Sequence, residues 1–281
     1  MDNAIEVNKL NKKYDGFTLD NISFFLPKGV IMGLIGENGA GKSTTINCIL
    51  ELVKYSWGDI KIFGEQVPLS PKRKESIGVV LEHYNLPTNL KPKDINSIMK
   101  DVYQNWQEKT FFDYLDKFSL PKKKTVKHFS SGMKVKLSLA VALSHQAKLL
   151  ILDETTSGLD PVTRDEISEI MLDFIQDEEC SVLICSHLTS DLERIADYIT
   201  YIHQGKVLFS KTRDELTESY AKVQFTQNQF DNFDKERVVG YRSSKYGIDA
   251  LVINGNYLDE YICEKPTIEE IMLYYCKEDK R

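Results

Sequence analysis

Gly36-Glu37-Asn38-Gly39-Ala40-Gly41-Lys42-Ser43-Thr44 follows the apolar run Val30-Ile31-Met32-Gly33-Leu34-Ile35 and leads into the helix-like Thr45-Ile46-Asn47-Cys48-Ile49-Leu50. A strand, a glycine-rich turn and a helix with the spacing G-x-x-x-x-G-K-S make a phosphate-binding (Walker A) loop. The glycines permit backbone conformations that a Cβ disfavours, so successive N–H groups from Gly36 to Thr44 turn inward toward phosphate oxygens. The helix start adds free donors and a partial positive charge. Lys42 is placed to reach the β- and γ-phosphates, and the Ser43 hydroxyl to ligate Mg²⁺. The stretch predicts binding of a nucleoside triphosphate.

A second apolar strand, Leu149-Leu150-Ile151-Leu152, ends in Asp153-Glu154. Carboxylates at the C-terminal end of a strand face the crevice where parallel α/β sheets bind ligands. Asp153 is placed to hold Mg²⁺, largely through water. Glu154 is placed to polarise the water that attacks the γ-phosphate. Between the two halves lies Phe129-Ser130-Ser131-Gly132-Met133-Lys134, ahead of a helix. By itself this turn reads either as an N-cap or as a set of N–H and hydroxyl donors for a phosphate.

Strands are expected over 5–9, 17–26 and 30–35, then a helix to about Leu52 and short strands near 59–63 and 77–81. From about 91 to 147 the spacing turns helical, over 93–107, 110–118 and 133–144, with Phe111, Phe112, Tyr114, Leu115 and Phe118 as core of an all-helical insertion. Alternation then resumes with strands at 149–152, 181–185 and 198–203 and helices at 162–176 and 190–196. Such alternation predicts a mostly parallel sheet covered on both faces. Residues 1–212 read as one nucleotide-binding domain and 213–281 as a small α/β accessory domain. Thr267-Ile268-Glu269-Glu270 forms a capping box ahead of the last helix.

Composition narrows the partners. The formal net charge of −6 gives no global basic field for nucleic acid, and Lys122-Lys123-Lys124 reads as a solvated turn. Five scattered cysteines without C-x-x-C argue against a disulfide framework or a zinc site and fit a reducing cytosol. No signal peptide is expected at the N-terminus, and no run approaches about 18 apolar residues, so the chain is not expected to span a bilayer.

In order, the phosphate loop, the helical insertion, the Ser-Ser-Gly turn, Asp153-Glu154, Ser157-Gly158-Leu159-Asp160 and Ser186-His187 resemble the ATP-binding cassette ATPases over about residues 5 to 210. The resemblance implies an α/β P-loop NTPase fold: a RecA-like core, a β-rich N-terminal subdomain, the helical insertion and the C-terminal accessory domain. It implies ATP and Mg²⁺ as cofactors. It makes Ser130, Ser131 and Gly132 the signature that closes on ATP held by a second cassette subunit, with the 157–160 loop crossing between them. His187 becomes the switch histidine at the γ-phosphate, Tyr14 the aromatic residue that stacks on adenine, and Glu82 a metal or water ligand where glutamine is usual. Two further departures are Ser131 and Met133 in place of Gly and Gln, and Thr155 in place of the proline after the catalytic glutamate. Activity is expected to survive, since Lys42, Asp153, Glu154 and His187 are all present.

The 77–86 stretch, the signature and the tail Pro266-Thr267-Ile268-Glu269-Glu270-Ile271-Met272 are similar to Gram-positive cassette subunits of ABC-2-type exporters, including those associated with bacitracin and lantibiotic resistance and phenol-soluble modulin export. That implies a separate permease, contacted around residues 82–93, and a place on the cytoplasmic face of the membrane. The rival classes are a soluble non-transport cassette protein and a regulatory nucleotide sensor. About 85 residues between Ser43 and Phe129 are too few for the long coiled coil of chromosome-type members.

Overall fold

A computed structural model describes residues 2–81, 86–187, 189–258 and 260–275. β1 (Asn3–Tyr14) and β2 (Phe17–Pro27) form a hairpin about Asp15-Gly16. Ile5 and Val7 face inward by strand alternation, and an irregularity at Asn8 and Lys9 resets the parity so that Leu10 is buried too. β3 (Ile31–Ile35) enters the central sheet, and α1 (Lys42–Ile49) follows the glycine loop. α1 stops short of Leu52, because Glu51 takes a left-handed φ of +59°. β4 (Trp57–Ile62) and β5 (Glu65–Gln66) complete an antiparallel sheet in the order β2-β1-β4-β5.

α2 (Pro71–Glu75) leads to β6 (Ile77–Leu81), and α3 (Pro92–Val102), α4 (Glu108–Lys117) and α5 (Ser131–Leu143) make the helical insertion around buried Phe111 and Leu115. The helix expected over 93–107 ends at Val102. There the Tyr103 ring stacks on buried His145 at 4.0 Å, and the Trp106 indole donates to Asn96 Oδ1 at 2.9 Å. These tertiary contacts override helical spacing.

β7 (Leu149–Asp153), α6 (Pro161–Phe174), β8 (Ser181–Ser186), α7 (Thr189–Ile195), β9 (Tyr198–His203) and β10 (Lys206–Thr212) complete the core. The central sheet runs β10-β9-β3-β8-β7-β6, parallel except for the β9–β10 pair. Its inner strands β3, β7 and β8 are buried on both faces, which explains their unbroken apolar runs. Leu150, Leu152, Val182 and Ile184 face the helical insertion side, while Leu149, Ile151, Leu183 and Cys185 face β1 and β2. β10, not foreseen as a strand, closes one edge.

α8 (Arg213–Ser219), β11 (Tyr220–Phe225), α9 (Gln227–Asn232), β12 (Val238–Ser244), β13 (Gly247–Ile253), β14 (Cys263–Glu264) and α10 (Ile268–Tyr275) follow. Their antiparallel sheet is ordered β12-β13-β11-β14. One face carries its own core of Phe225, Phe230 and Phe233. The other face is joined to the main core, where Leu216, Leu251, Ile268 and Tyr274 pack in one cluster with Leu192, Tyr201 and Phe209.

Candidate active site

Parallel register brings three strand ends to one edge. Ile35 pairs with Ser186 across β3–β8, and Asp153 with Cys185 across β7–β8. Gly36, His187 and Glu154, each the next residue in its strand, therefore emerge side by side. Gly36 has φ +155°, and a Cβ there would lie 2.2 Å from the Ile202 carbonyl oxygen. Gly41, at φ +114°, would place a Cβ 2.5 Å from Leu19. The loop is thus backbone-lined where it is tightest, which is the condition for N–H groups to meet phosphate oxygens. Lys42 is buried and donates from Nζ to the carbonyls of Gly36 at 2.8 Å and Glu37 at 3.3 Å.

Ser43 Oγ donates to Asp153 Oδ1 at 3.2 Å. Burial pushes the Asp153 carboxyl above its ordinary value, reinforced by the Glu154 charge and opposed by the Ser43 bond. Glu154 sits in the left-handed region at φ +50°, and its N–H donates to the Cys185 carbonyl at 3.1 Å. Its Oε2 lies 2.6 Å from His187 Nδ1, and its Oε1 lies 3.3 Å from Lys42 Nζ in an ion pair without hydrogen-bond alignment. Five residues from distant parts of the chain thus converge: Lys42, Ser43, Asp153, Glu154 and His187.

The donor set suits Mg²⁺. Ser43 and Asp153 present hard oxygens, and among the described residues no group of three or more His, Cys, Asp or Glu forms a protein cage. A cation that keeps water and takes oxygens from a nucleotide matches such a half-built site.

Other expected residues lie elsewhere. Tyr14 is 41% exposed at the end of β1, with Lys12 Nζ 4.9 Å from its ring centroid. The adjoining turn, not Tyr14, walls a cleft of about 580 Å³ that includes Phe17, Thr18, Asn38, Gly39 and Lys206. Asn38 and Gly39 thus face open space, and Ala40 is fixed by its carbonyl accepting from Gly205 N–H at 2.9 Å. Ser130 caps α5, its Oγ accepting from the Met133 N–H at 3.3 Å. Gly132 lies against the start of α6, where a Cβ would meet Thr163 at 3.2 Å. Glu82 lies outside the described residues. Sequence reasoning missed His203, whose Nδ1 lies 2.7 Å from Glu37 Oε1 beside the loop. Its place at the C-terminal end of a strand was the available signal.

Residues 19–157 match the family model described as ABC transporter. The lantibiotic transport ATP-binding protein SrtF of Streptococcus pyogenes is 37% identical over 213 residues, covering 75% of this chain and 91% of that protein. The chain belongs to the ABC transporter family. The bacitracin transport ATP-binding protein BcrA of Bacillus licheniformis is 33% identical, over 79% of this chain and 74% of its own length. A solved structure of the ATP-binding subunit of an ABC transporter superposes with a TM-score of 0.69 at 27% identity, covering 76% of this chain and 91% of that one. This cassette binds and hydrolyses ATP, and its α/β P-loop architecture is the one expected. No helix among the described residues is long and apolar enough to cross a membrane.

Proposed function

We propose that this cassette powers export of peptides or amphipathic antimicrobial compounds through a separate ABC-2-type membrane permease. The convergence of Lys42, Ser43, Asp153, Glu154 and His187 carries the chemical half of this reading. Backbone N–H groups of the loop hold the phosphates, and Lys42 turns from Glu154 toward the β- and γ-phosphate oxygens. Glu154 accepts a proton from the attacking water as its oxygen bonds to the γ-phosphorus and the bond to ADP breaks. His187, already on Glu154, orients that carboxylate. Ser43 and Asp153 would hold Mg²⁺, which would supply positive charge beside the phosphates. Gly132 lies against the start of α6 and Ser130 caps α5, and Ser130, Ser131 and Gly132 are assigned to nucleotide held by a second cassette subunit. Tyr14, open at the end of β1, is available for adenine.

The docking half rests on a groove of about 380 Å³ beside β6, the edge strand that leads toward residues 82–93. Leu50, Leu52, Ile77, Val79 and Tyr103 line it, and Leu52 is 51% exposed. An amphipathic helix from a cytoplasmic loop of the permease fits this apolar surface with its Glu51–Lys74 rim. Affinity isolation of the tagged chain from detergent-solubilised cells, with bound proteins identified by mass spectrometry, tests the reading. A stoichiometric polytopic membrane protein, lost on Leu52→Glu, supports it. Recovery alone, or with ribosomes or DNA, moves the assignment to a non-transport cassette protein. Loss of Lys42- and Glu154-dependent efflux of a cationic peptide tests the substrate class.

A further inference from the structure

The space beside His187 is walled by the last helix. Gly36, His187 and Ser190 line one side of a groove of about 280 Å³, and Glu269, Met272 and Leu273 of α10 line the other. α10 also packs on α7, which opens two residues after His187: Ile268, Ile271 and Tyr274 share a buried cluster with Leu192 and Ile195. Glu193 of α7 joins the two helices directly. Its Oε1 accepts the N–H groups of Ile268 at 2.5 Å and Glu269 at 3.4 Å. These are first-turn donors of α10, where a carboxylate is favoured by unpaired N–H groups and the helix dipole. α10 is anchored in turn to the C-terminal sheet, since Lys222 of β11 pairs with Glu270 at 2.9 Å and Glu264 at 3.2 Å. On its other side α7 is tied to α6 by Arg164–Asp191 at 3.2 Å and Arg194–Asp165 at 2.8 Å. The helix that begins beside His187 is therefore held between the 157–160 loop's own helix and the C-terminal unit.

We propose that Glu193 is a positioning residue for ATP hydrolysis. By fixing α7 to the first turn of α10 it sets where His187 stands relative to Glu154, which makes the C-terminal sheet and helix a determinant of turnover. This rests on the roles given above to His187 and Glu154.

The test uses the full chain with Glu193→Ala, Glu193→Asp and Glu193→Gln. The aspartate keeps the charge but falls short of α10, whereas the glutamine keeps an acceptor at the same reach. In the alanine and aspartate variants kcat falls about five- to tenfold while KM for ATP stays within about twofold, and the glutamine variant keeps at least half of the wild-type kcat. In ¹⁵N-histidine spectra the His187 side-chain signal, identified by its loss in His187→Ala, shifts in the first two variants and returns in the third. In a His187→Ala background, Glu193→Asp gives no further loss. Should Glu193→Ala not fold, Glu193→Asp carries the comparison. Unchanged kcat, an unmoved His187 signal, or a full additional loss in the His187→Ala background overturns the proposal. If His187→Ala itself turns over at the wild-type rate, the catalytic reading fails instead, and the signal still reports whether Glu193 sets the position of His187.

Discussion

Replacing Glu154 by Gln separates chemistry from stability. The substitution keeps the side-chain volume and exchanges one carboxylate oxygen for an amide. In the structure the carboxylate is largely buried, 3.3 Å from Lys42 Nζ and 2.6 Å from His187 Nδ1. At an effective dielectric of 20, the attraction to Lys42 is about 5 kcal/mol before desolvation. Removing one partner of a buried pair typically costs about 3–5 kcal/mol, because the other charge is left buried without it. Lys42 also keeps its bonds to Gly36 and Glu37. Those bonds and the same-sized amide offset part of that cost, so the folded protein should lose about 1–3 kcal/mol. The chemical step loses its proton acceptor, and kcat should fall about 10²- to 10⁴-fold. ATP no longer competes with a carboxylate for Lys42, so its affinity should hold or rise. Phosphate release, calorimetric ATP titration and urea unfolding read the three quantities. Retained turnover would refute the role of Glu154, and a stability loss above about 3 kcal/mol would show that the ion pair is chiefly structural.

Gly36→Ala drives a Cβ into the Ile202 carbonyl at 2.2 Å, so ATP affinity by calorimetry should weaken about tenfold or more, with unchanged affinity contradicting the cradle. Because the Asp153 carboxyl is pushed above its ordinary value, the folded nucleotide-free chain binds that proton more tightly than the unfolded chain does. This contribution lowers stability as pH rises from about 4 through the raised value, and the loss persists above it. Asp153→Asn should therefore melt higher than wild type at pH 8, with the gap closing toward pH 4, and should lose ATPase activity; a lower melting point at pH 8 would count against it. Burial pushes Cys48 and Cys180 up to about 11 and raises Cys185 as well, whereas Cys263 is exposed. At pH 8 a thiol reagent should label Cys263 in the native protein and the other three only after denaturation, as peptide mapping by mass spectrometry would report. Phe111→Ala removes a fully buried ring packed on Trp106 and Phe112, and urea unfolding should show a loss of about 3–5 kcal/mol.

What could be read from the chain follows from how local each determinant is. The phosphate loop is a nine-residue signal whose glycines answer to backbone geometry alone. Strands β7 and β8 are buried on both faces, so their apolar runs announce them without any partner. Helical spacing places Tyr103 in a helix, but its ring is held by His145, 42 positions further on in sequence. The apolar groove beside β6 is illegible in the sequence for the same reason: Leu52, Val79 and Tyr103 are neighbours only after folding. Likewise, nothing in the spacing of Glu193 foretells that it meets residues 268 and 269, since a half-buried glutamate on a helix reads as an ordinary solvated charge.

The active-site strand end also breaks local rules in a way that only the folded chain displays. Glu154 holds a left-handed φ that costs an ordinary side chain about 1–2 kcal/mol. Asp153 is buried beside a second carboxylate. The hydroxyls of Thr155 and Thr156 are buried without a hydrogen-bond partner among the described residues. Each feature is unfavourable for folding, and all four fall in consecutive residues 153–156, at the end of the fully buried β7. Several unfavourable features gathered at one strand end are a mark of function rather than of stability. The left-handed turn at Glu154 accompanies the contacts of its carboxylate with Lys42 and His187, so the conformation that weakens the fold is the one that brings these three side chains together. From the side of β8 the turn is held by the Cys185 carbonyl and the His187 contact. Both come from β8 and its end, the element continued by α7, so the geometry of Glu154 is tied to the same helix that Glu193 fastens to α10.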